Sequence, residues 1–242
     1  IMFDNSIEFI ISYLGIIKAG KIVHIISPSI SKKNFLKQIK SCNPKIILTL
    51  KKFKEQFKNI QNEIRLVDFN EFKNTDATKG ENEKSNISSL IYTSGTTSSP
   101  KGVPIKHENT IFTTKNIINI LKYSNSDIDI IPLSLSHSFG LGCFHTALFV
   151  GSTLILHKNT MNILEVLNSI KNNNATTFAA VPATLTSLVN DFPEKFVEKC
   201  SGLRLIITNS TKVPEDTINK ILKLLPDTKF ATYYGLTEAS RS

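Results

Sequence analysis

The chain has 242 residues, 40% of them hydrophobic, and a mean hydropathy of −0.04. This length is enough to bury a substantial core, as one large domain or two small ones, and no apolar run reaches the roughly 18 residues that span a membrane. The net charge of +9 comes from lysines spread along the whole chain rather than from the arginines favoured for base and phosphate contacts, so we expect no nucleic-acid partner.

The cysteines and the first residues indicate the cellular compartment. Cys42, Cys143 and Cys200 are odd in number and far apart, and no His/Cys cluster has the spacing of a zinc site. The N-terminal residues show no basic segment followed by an apolar one and a cleavage site, so no secretory signal is visible. These features predict a protein of the reducing cytoplasm with incidental thiols.

Helical and extended patterns alternate along the chain. Apolar residues at 7–17 recur on one helical face after a capping-box pattern at Asn5 and Glu8, and Ser31 is placed to cap a second helix. Further helices are predicted from His107 onwards and at 162–172, 182–189 and 214–225. Strands are predicted at 22–26, 45–50, 89–92, 128–133, 154–156, 177–181, 203–208 and 230–233.

The spacing of these elements is that of repeated βαβ units, which predicts an α/β fold with largely parallel sheets flanked by helices. The stretch 70–86 is polar and charged with little apolar content, as in a surface linker. We therefore predict a partial α/β subdomain at 1–75, a linker at 76–87 and a second α/β subdomain at 88–242.

The most informative stretch runs from Ile91 to Gly102. A short apolar strand leads into a loop rich in hydroxyls and glycine that ends at Lys101. Backbone N–H groups, hydroxyls and an ammonium can surround phosphate oxygens, although a plain polar loop has the same composition. The stretch is not a Walker A loop, because Pro100 precedes the lysine and Gly102 follows it.

A second informative stretch, Tyr233 to Glu238, follows a predicted strand. Open α/β sheets bind ligands where their strands end. An aromatic ring offers a stacking surface, the glycine allows close approach, a threonine hydroxyl can bind phosphate, and a carboxylate suits Mg²⁺. In isolation this hexapeptide is equally typical of a strand end followed by a capped turn.

Together, the two stretches resemble the signatures of the acyl-adenylate-forming superfamily of acyl-CoA synthetases, peptide-synthetase adenylation domains and luciferases. The first matches the family pattern Tyr-Thr-Ser-Gly-Thr-Thr-Gly-x-Pro-Lys-Gly except at Ser98, and the second matches Tyr-Gly-x-Thr-Glu without departure. The segment 14–20 is similar to an early scaffold region of the family. The resemblance implies the layered two-subdomain fold of the family's N-terminal domain.

The resemblance also implies roles for individual residues. Lys101, Thr237, Glu238 and His137 would be catalytic, with Thr237 on the α-phosphate, Glu238 on Mg²⁺ and His137 lining the carboxylate or acyl channel. Tyr234 would stack on adenine. Asn209, Ser210 and Thr211 occupy the place of the family's Gly-Gly-Ala-Pro-Leu segment, without its glycines. The remaining nucleotide contacts would be Thr93, Ser94, Gly95, Thr96, Thr97, Tyr233 and Gly235.

The reaction so implied joins a carboxylate to ATP as an acyl-adenylate, with Mg²⁺, and passes the acyl group to CoA or to a phosphopantetheine carrier protein. The stretch 136–150 has no acidic residue to meet a substrate ammonium and several apolar ones, which favours a fatty or aryl acid over an amino acid. An amino-acid adenylation domain and a non-catalytic nucleotide-binding remnant stay open as alternatives.

The end of the chain bears on activity. Family members continue beyond the equivalent of Glu238 with a ribose-binding aspartate, a hinge and a small C-terminal domain that bears a catalytic lysine, and the small C-terminal domain is absent from these 242 residues. We therefore expect the chain as given to be inactive or weakly active in adenylation, and to form no thioester.

Overall fold

The computed structural model describes residues 1–57, 65–72, 84–93, 100–158 and 162–240. The chain divides into two compact units, unit 1 from Ile1 to Asn109 and unit 2 from Thr110 to Ser242. The predicted linker at 76–87 lies largely outside the described residues. The strand that follows it pairs within unit 1, so the division between the compact units falls later in the chain than the predicted linker.

Unit 1 alternates short helices and strands, and serine side chains begin two of its helices. Ser6 caps the first helix by accepting a hydrogen bond from the Phe9 N–H at 3.3 Å, so the cap expected at Asn5 lies one residue later. Ser31 caps the second through the Asn34 N–H, as predicted. The elements are α1 (Ile7–Lys18), β1 (Val23–Ile25), α2 (Lys32–Cys42), β2 (Ile46–Thr49), α3 (Lys51–Gln56), β3 (Arg65–Asp68), α4 (Phe69–Phe72), β4 (Ile87–Thr93) and β5 (Lys101–Lys106).

The strands of unit 1 form two sheets. β1, β4 and β5 form a mixed sheet, in which β1 pairs with β4 in parallel and β4 pairs with β5 antiparallel. β2 and β3 pair in parallel, and Met2 bridges to Thr49. Ile1 and Met2 also exchange backbone hydrogen bonds with His24, Ile26 and Leu48, so the first residues join the edges of the two sheets. The antiparallel strand β5 was not predicted from the sequence.

Unit 2 is a larger α/β layer. Its elements are α5 (His107–Leu121, which begins at the end of unit 1), β6 (Ile128–Ile131), α6 (Ser138–Val150), β7 (Thr153–Leu156), α7 (Ile163–Asn172), β8 (Thr177–Ala179), α8 (Pro182–Asp191), α9 (Pro193–Cys200), β9 (Leu205–Thr208), α10 (Glu215–Leu224) and β10 (Lys229–Thr232), followed by a 3₁₀ turn (Thr237–Ala239). The strands form one parallel sheet in the order β10-β9-β8-β6-β7. The predicted parallel α/β fold is therefore confirmed.

Helices cover both faces of this sheet. Ile130 and Phe178 point to a face covered by α7, α8, α9 and α10, whereas their neighbours Ile131 and Ala179 point to a face covered by α5 and α6. Successive residues of a strand face opposite sides, so a strand covered on both faces is apolar throughout. Among the described residues, no helix is long and apolar enough to cross a membrane.

An ionic cluster joins three strands at the amino end of the unit 2 sheet. Asp127 is 2% exposed and accepts hydrogen bonds from Arg204 at 2.5 and 2.7 Å, from Thr176 at 2.8 Å and from the Ser124 N–H at 2.9 Å. Burial alone would raise the pKa of the Asp127 carboxyl, but these hydrogen bonds, with that of Arg204 the strongest, hold it below its ordinary value. The cluster ties the starts of β6, β8 and β9 together.

Replacing Asp127 by asparagine is expected to lower the free energy of unfolding at pH 7 by about 2 to 4 kcal/mol, because the charged partner Arg204 is left uncompensated. A carboxyl whose pKa is lowered by folding stabilises the fold above its unfolded pKa and loses that contribution as the pH falls through its folded pKa. The difference between Asp127→Asn and the native chain in urea denaturation should therefore shrink below about pH 4.

Glu198→Gln is the matched control for this prediction. Glu198 pairs with Lys199 in the same unit, but its side chain is 62% exposed. Exposed ion pairs contribute little to stability, so this substitution should leave the urea midpoint unchanged. Equal destabilisation by Asp127→Asn and Glu198→Gln would show that the Asp127 cluster contributes no more to stability than an exposed ion pair does.

Candidate active site

Three of the loops at the carboxyl edge of the unit 2 sheet carry predicted site residues. They follow β6 (132–137), β9 (209–214) and β10 (233–236), and parallel strands end at the same edge of a sheet. β6 leads to a helix on one face, whereas the adjacent β8 leads to α8 on the other. This change of face is the topological switch point, outside which doubly wound sheets form a ligand-binding crevice.

The loop after β6 is fixed in shape before it enters α6. The Ser134 hydroxyl lies 2.7 Å from the Ser136 hydroxyl, and it accepts a hydrogen bond from the Ser136 N–H at 3.3 Å. A Cβ on Gly140 would lie 2.3 Å from the carbonyl oxygen of Ser134. Only glycine therefore allows the first turn of α6 to pack this closely on the loop.

His137 occupies the N-cap position of α6 in extended backbone. Its side chain reaches the surface, yet the surrounding protein restricts the access of water to the ring. This desolvation lowers the pKa of the His137 imidazole below its ordinary value of 6.5. At neutral pH the ring is uncharged, so it presents one hydrogen-bond donor and one acceptor at the positive end of a helix.

The loop after β10 lies against the start of α6. The Thr237 hydroxyl donates a hydrogen bond to the Ser138 hydroxyl at 3.3 Å, and the Tyr233 ring meets the Phe139 ring edge-on, with centroids 5.8 Å apart. Tyr234 is 82% exposed on this loop. The structure thus brings the stretch 233–238 next to His137 within unit 2.

The loop after β9 begins beside Tyr233, whose N–H bonds to the Thr208 carbonyl at 3.4 Å. Asn209 is buried, and its side-chain oxygen accepts a hydrogen bond from the Ser210 N–H. Ser210 has a φ of 97°, a conformation that favours glycine. The loop therefore keeps a glycine-type backbone at Ser210, in the segment where the resemblance implied two glycines.

Thr208 and Ser138 are site features that the sequence did not single out. The Thr208 hydroxyl is fully buried and, within the described part of the chain, has no hydrogen-bond partner. A buried hydroxyl left unpaired costs about 1 to 3 kcal/mol unless water or a ligand reaches it. Only the position of Thr208 at the end of a strand, and of Ser138 beside His137, marked them in the sequence.

The residues of the predicted phosphate loop belong to unit 1. Thr93 and Lys101 face each other as the last pair of the β4–β5 ladder, and the Lys101 side chain is exposed. Ser94, Gly95, Thr96 and Thr97 lie outside the described residues, so their predicted contacts stay predictions.

Two further predicted nucleotide contacts lie in loops of unit 2. Thr211 is exposed, and Gly235 is half-buried in the loop after β10.

The donor set suits a hydrated magnesium ion better than a metal held by the protein alone. Among the described residues, no group of three or more His, Cys, Asp and Glu side chains is placed to hold a metal. Glu238 offers an exposed carboxylate next to the hydroxyl of Thr237. Mg²⁺ keeps several waters and is commonly bound through one or two carboxylates and substrate phosphates, which this arrangement fits.

The fold and these loops define an α/β protein with a polar ligand site at the carboxyl edge of a parallel sheet. The sequence matches the family described as AMP-binding enzyme over residues 1–241. This chain belongs to the AMP-binding enzyme family, as the sequence motifs predicted.

Individual relatives come from several branches of the family. The 4-coumarate–CoA ligase-like 6 of Arabidopsis thaliana is 24% identical over 265 residues, which cover 99% of this chain and 46% of that protein. Bacitracin synthase 3 of Bacillus licheniformis is 27% identical over 252 residues, which cover 99% of this chain and 4% of that protein. The chain thus spans less than half the length of these relatives.

A solved structure shares the fold. The o-succinylbenzoate coenzyme A synthetase of Bacillus subtilis, in complex with ATP and magnesium ion, superposes with a TM-score of 0.85 at 24% identity. The match covers 99% of this chain and 50% of that chain. The similarity extends over the described parts of both units and supports the layered α/β fold.

The strain at Ser210 gives a testable expectation. Replacing Ser210 by glycine should raise the free energy of unfolding by about 1 kcal/mol, because glycine adopts a φ of 97° without steric cost. Ser201→Gly is the control: Ser201 is also exposed in unit 2, but has a right-handed helical φ of −59°. There glycine should destabilise by about 0.5 to 1 kcal/mol. Urea denaturation measures the change in stability for both variants. Changes of the same sign in Ser210→Gly and Ser201→Gly would contradict the strain at Ser210.

Proposed function

We propose that this chain is the nucleotide-binding core of an ATP-dependent ligase that activates a carboxylic acid as an acyl-adenylate, for transfer to the thiol of CoA or of a carrier protein. The contact between Thr237 and Ser138 carries the proposal. It brings Thr237, in the stretch with the phosphate- and metal-type side chains, to Ser138, the first residue of α6 and the neighbour of His137 in the sequence. Family membership supports the same reaction.

The chemistry requires positioning and charge neutralisation rather than a covalent enzyme intermediate. A carboxylate oxygen of the acid attacks the α-phosphorus of ATP, the new C–O–P bond forms, and the bond to pyrophosphate breaks. Lys101 and the hydroxyl of Thr237 would offset the charge that gathers on the phosphate oxygens. Mg²⁺ held by Glu238 would supply further positive charge there.

His137 and Tyr234 would orient the two substrates. The neutral His137 ring can donate a hydrogen bond to the substrate carboxylate and leave it ionised for attack on the α-phosphorus. The N-terminus of α6 favours the approach of an anion. Tyr234, exposed on the loop after β10, would stack on the adenine, and the backbone around Ser210 would line the base.

The expected acid is fatty or aryl. The stretch 136–150 has no acidic residue, so it offers no counter-charge for the ammonium of an amino acid. Phe139 is buried in the core of the α5–α6 face, so we assign it no contact with the acid. The match to bacitracin synthase 3 favours the second candidate, an amino-acid adenylation domain.

Lys101→Ala and Glu238→Ala should each lower ATP–pyrophosphate exchange by about 10²- to 10³-fold in the complete gene product, because each removes charge stabilisation from the transition state. The 242-residue chain itself should still bind Mg·ATP, with at least about tenfold weaker binding in either variant, measured by isothermal titration calorimetry.

The matched controls are Lys106→Ala, at the far end of the same strand as Lys101, and Glu215→Ala, in the first turn of α10. Both should leave exchange unchanged. Near-normal exchange in the Lys101 and Glu238 variants would overturn the proposed roles. Mg·ATP binding without exchange in the complete gene product would instead favour a non-catalytic nucleotide-binding protein.

A separate experiment decides the acid. Pyrophosphate exchange with medium-chain fatty acids, aryl acids and the twenty common amino acids should show activity with a fatty or aryl acid and at most background with amino acids. The physical reason is the lack of a carboxylate near His137 in sequence to pair with a substrate ammonium. Robust exchange with a single amino acid would replace the fatty or aryl assignment by the adenylation-domain one.

A further inference from the structure

Tyr92 lies at the base of the hairpin that carries Thr93 and Lys101. β4 and β5 pair antiparallel, with Tyr92 opposite Gly102 and Thr93 opposite Lys101. Side chains directly opposite each other in such a ladder lie on the same face of the sheet. The Tyr92–Gly102 pair lies next to the Thr93–Lys101 pair in the ladder. Contacts that hold Tyr92 against Gly102 therefore also hold Thr93 and Lys101, the two ends of the predicted phosphate loop.

The ring of Tyr92 lies over Gly102. A Cβ on Gly102 would meet the Tyr92 Cζ at 3.0 Å, and the Tyr92 hydroxyl oxygen and the Leu90 Cδ1 at 3.2 Å each. These distances are shorter than normal van der Waals contacts, so a side chain at position 102 would push the ring away. The absence of a side chain at Gly102 is what allows the ring to cover β5 at this point.

The other side of the ring is held by buried polar groups of α2 and β1. The Tyr92 hydroxyl donates a hydrogen bond to the Gln38 carbonyl at 3.4 Å, and its ring lies 5.0 Å from the His24 ring. His24 is fixed in turn by the Gln38 side chain at 3.3 Å and by the Cys42 sulfur at 3.1 Å. His24 and Gln38 are both 9% exposed, so the set that holds Tyr92 is part of the interior of unit 1.

The hydrogen bonds of this cluster require a neutral His24 ring and a protonated Tyr92 hydroxyl. Desolvation lowers the pKa of His24 to about 4, so the ring is neutral and accepts one hydrogen bond while donating another. Desolvation also raises the pKa of the Tyr92 phenol, which keeps its proton for the Gln38 carbonyl. The cluster is therefore uncharged at neutral pH.

We propose that Tyr92 is a positioning residue for the nucleotide site: its ring, clamped between Gly102 and the His24–Gln38 pair, holds the ends of the phosphate loop at Thr93 and Lys101 in register. The proposal rests on the proposed function, because it assumes that this hairpin binds the phosphates of ATP. Tyr92 itself makes no contact with the reacting atoms. Its effect reaches the site through the backbone of β4 and β5.

A double-mutant cycle tests the clamp. Tyr92→Leu and Gly102→Ala should each raise the dissociation constant for Mg·ATP about tenfold in calorimetry on the 242-residue chain, whereas Tyr92→Phe, which loses only the hydrogen bond, should raise it about threefold. Gly102→Ala should have a smaller further effect in the Tyr92→Leu background, because the ring is gone and only Leu90 still lies close to the new Cβ. Additive effects of the two substitutions would overturn the clamp.

Tyr13→Phe is the matched control, since Tyr13 is a buried tyrosine of unit 1 and its hydroxyl bonds to Ser89 in β4. It should lower the thermal midpoint as much as Tyr92→Phe but leave the dissociation constant unchanged. Equal weakening of Mg·ATP binding by Tyr13→Phe would mean that Tyr92 acts only through general stability.

Amide hydrogen exchange separates this proposal from the proposed function. Tyr92→Leu should speed exchange in residues 101–106 at least about tenfold, with no change in the strands of unit 2. If the native chain binds no Mg·ATP while exchange in 101–106 responds as expected, the proposed function fails and the clamp stands. If exchange in 101–106 does not respond, the clamp is wrong whether or not ATP binds.

Discussion

The carboxyl edge of the parallel sheet in unit 2 is the constraint on which the site depends. Helices cover both faces of that sheet, so only the loops at its ends are open to a ligand. The amino end is closed by the Asp127–Arg204 cluster, which ties β6, β8 and β9 together. The polar, hydroxyl-bearing loops lie at the opposite end, so the stabilising ion pair and the proposed chemistry occupy different edges of the same sheet.

The candidate site contains two local features that lower the stability of the fold. Ser210 holds a backbone conformation suited to glycine, and the buried Thr208 hydroxyl next to it has no hydrogen-bond partner among the described residues. Both features lie at the end of β9, beside the loop that carries Tyr234. Strain and unpaired polar groups persist where the surroundings impose them, and they commonly mark ligand sites.

The sequence predicted the strands of unit 2 well, because the three central strands are short runs between turn residues that are buried on both faces. It did not predict α6, where glycine and apolar residues surround the whole helix and leave no amphipathic period. It missed β5 as well, since Lys101, Gly102 and Pro104 disfavour a strand and only pairing with β4 makes one. The motif residues were found, but Ser138 and the clamp at Tyr92 depend on contacts between distant segments.

Different loops carry the groups proposed for the nucleotide and the group proposed for the acid. This separation would allow one core to serve ligases with different acids. The stretches 93–102 and 233–238 carry the groups suited to phosphate, metal and adenine, and these would be common to any acid activated through ATP. The loop after β6 carries His137, which we propose faces the acid, so a change at His137 is expected to alter the choice of acid more than the binding of ATP. Fold similarity therefore supports adenylation in general, whereas the choice of acid must be argued from the residues around His137.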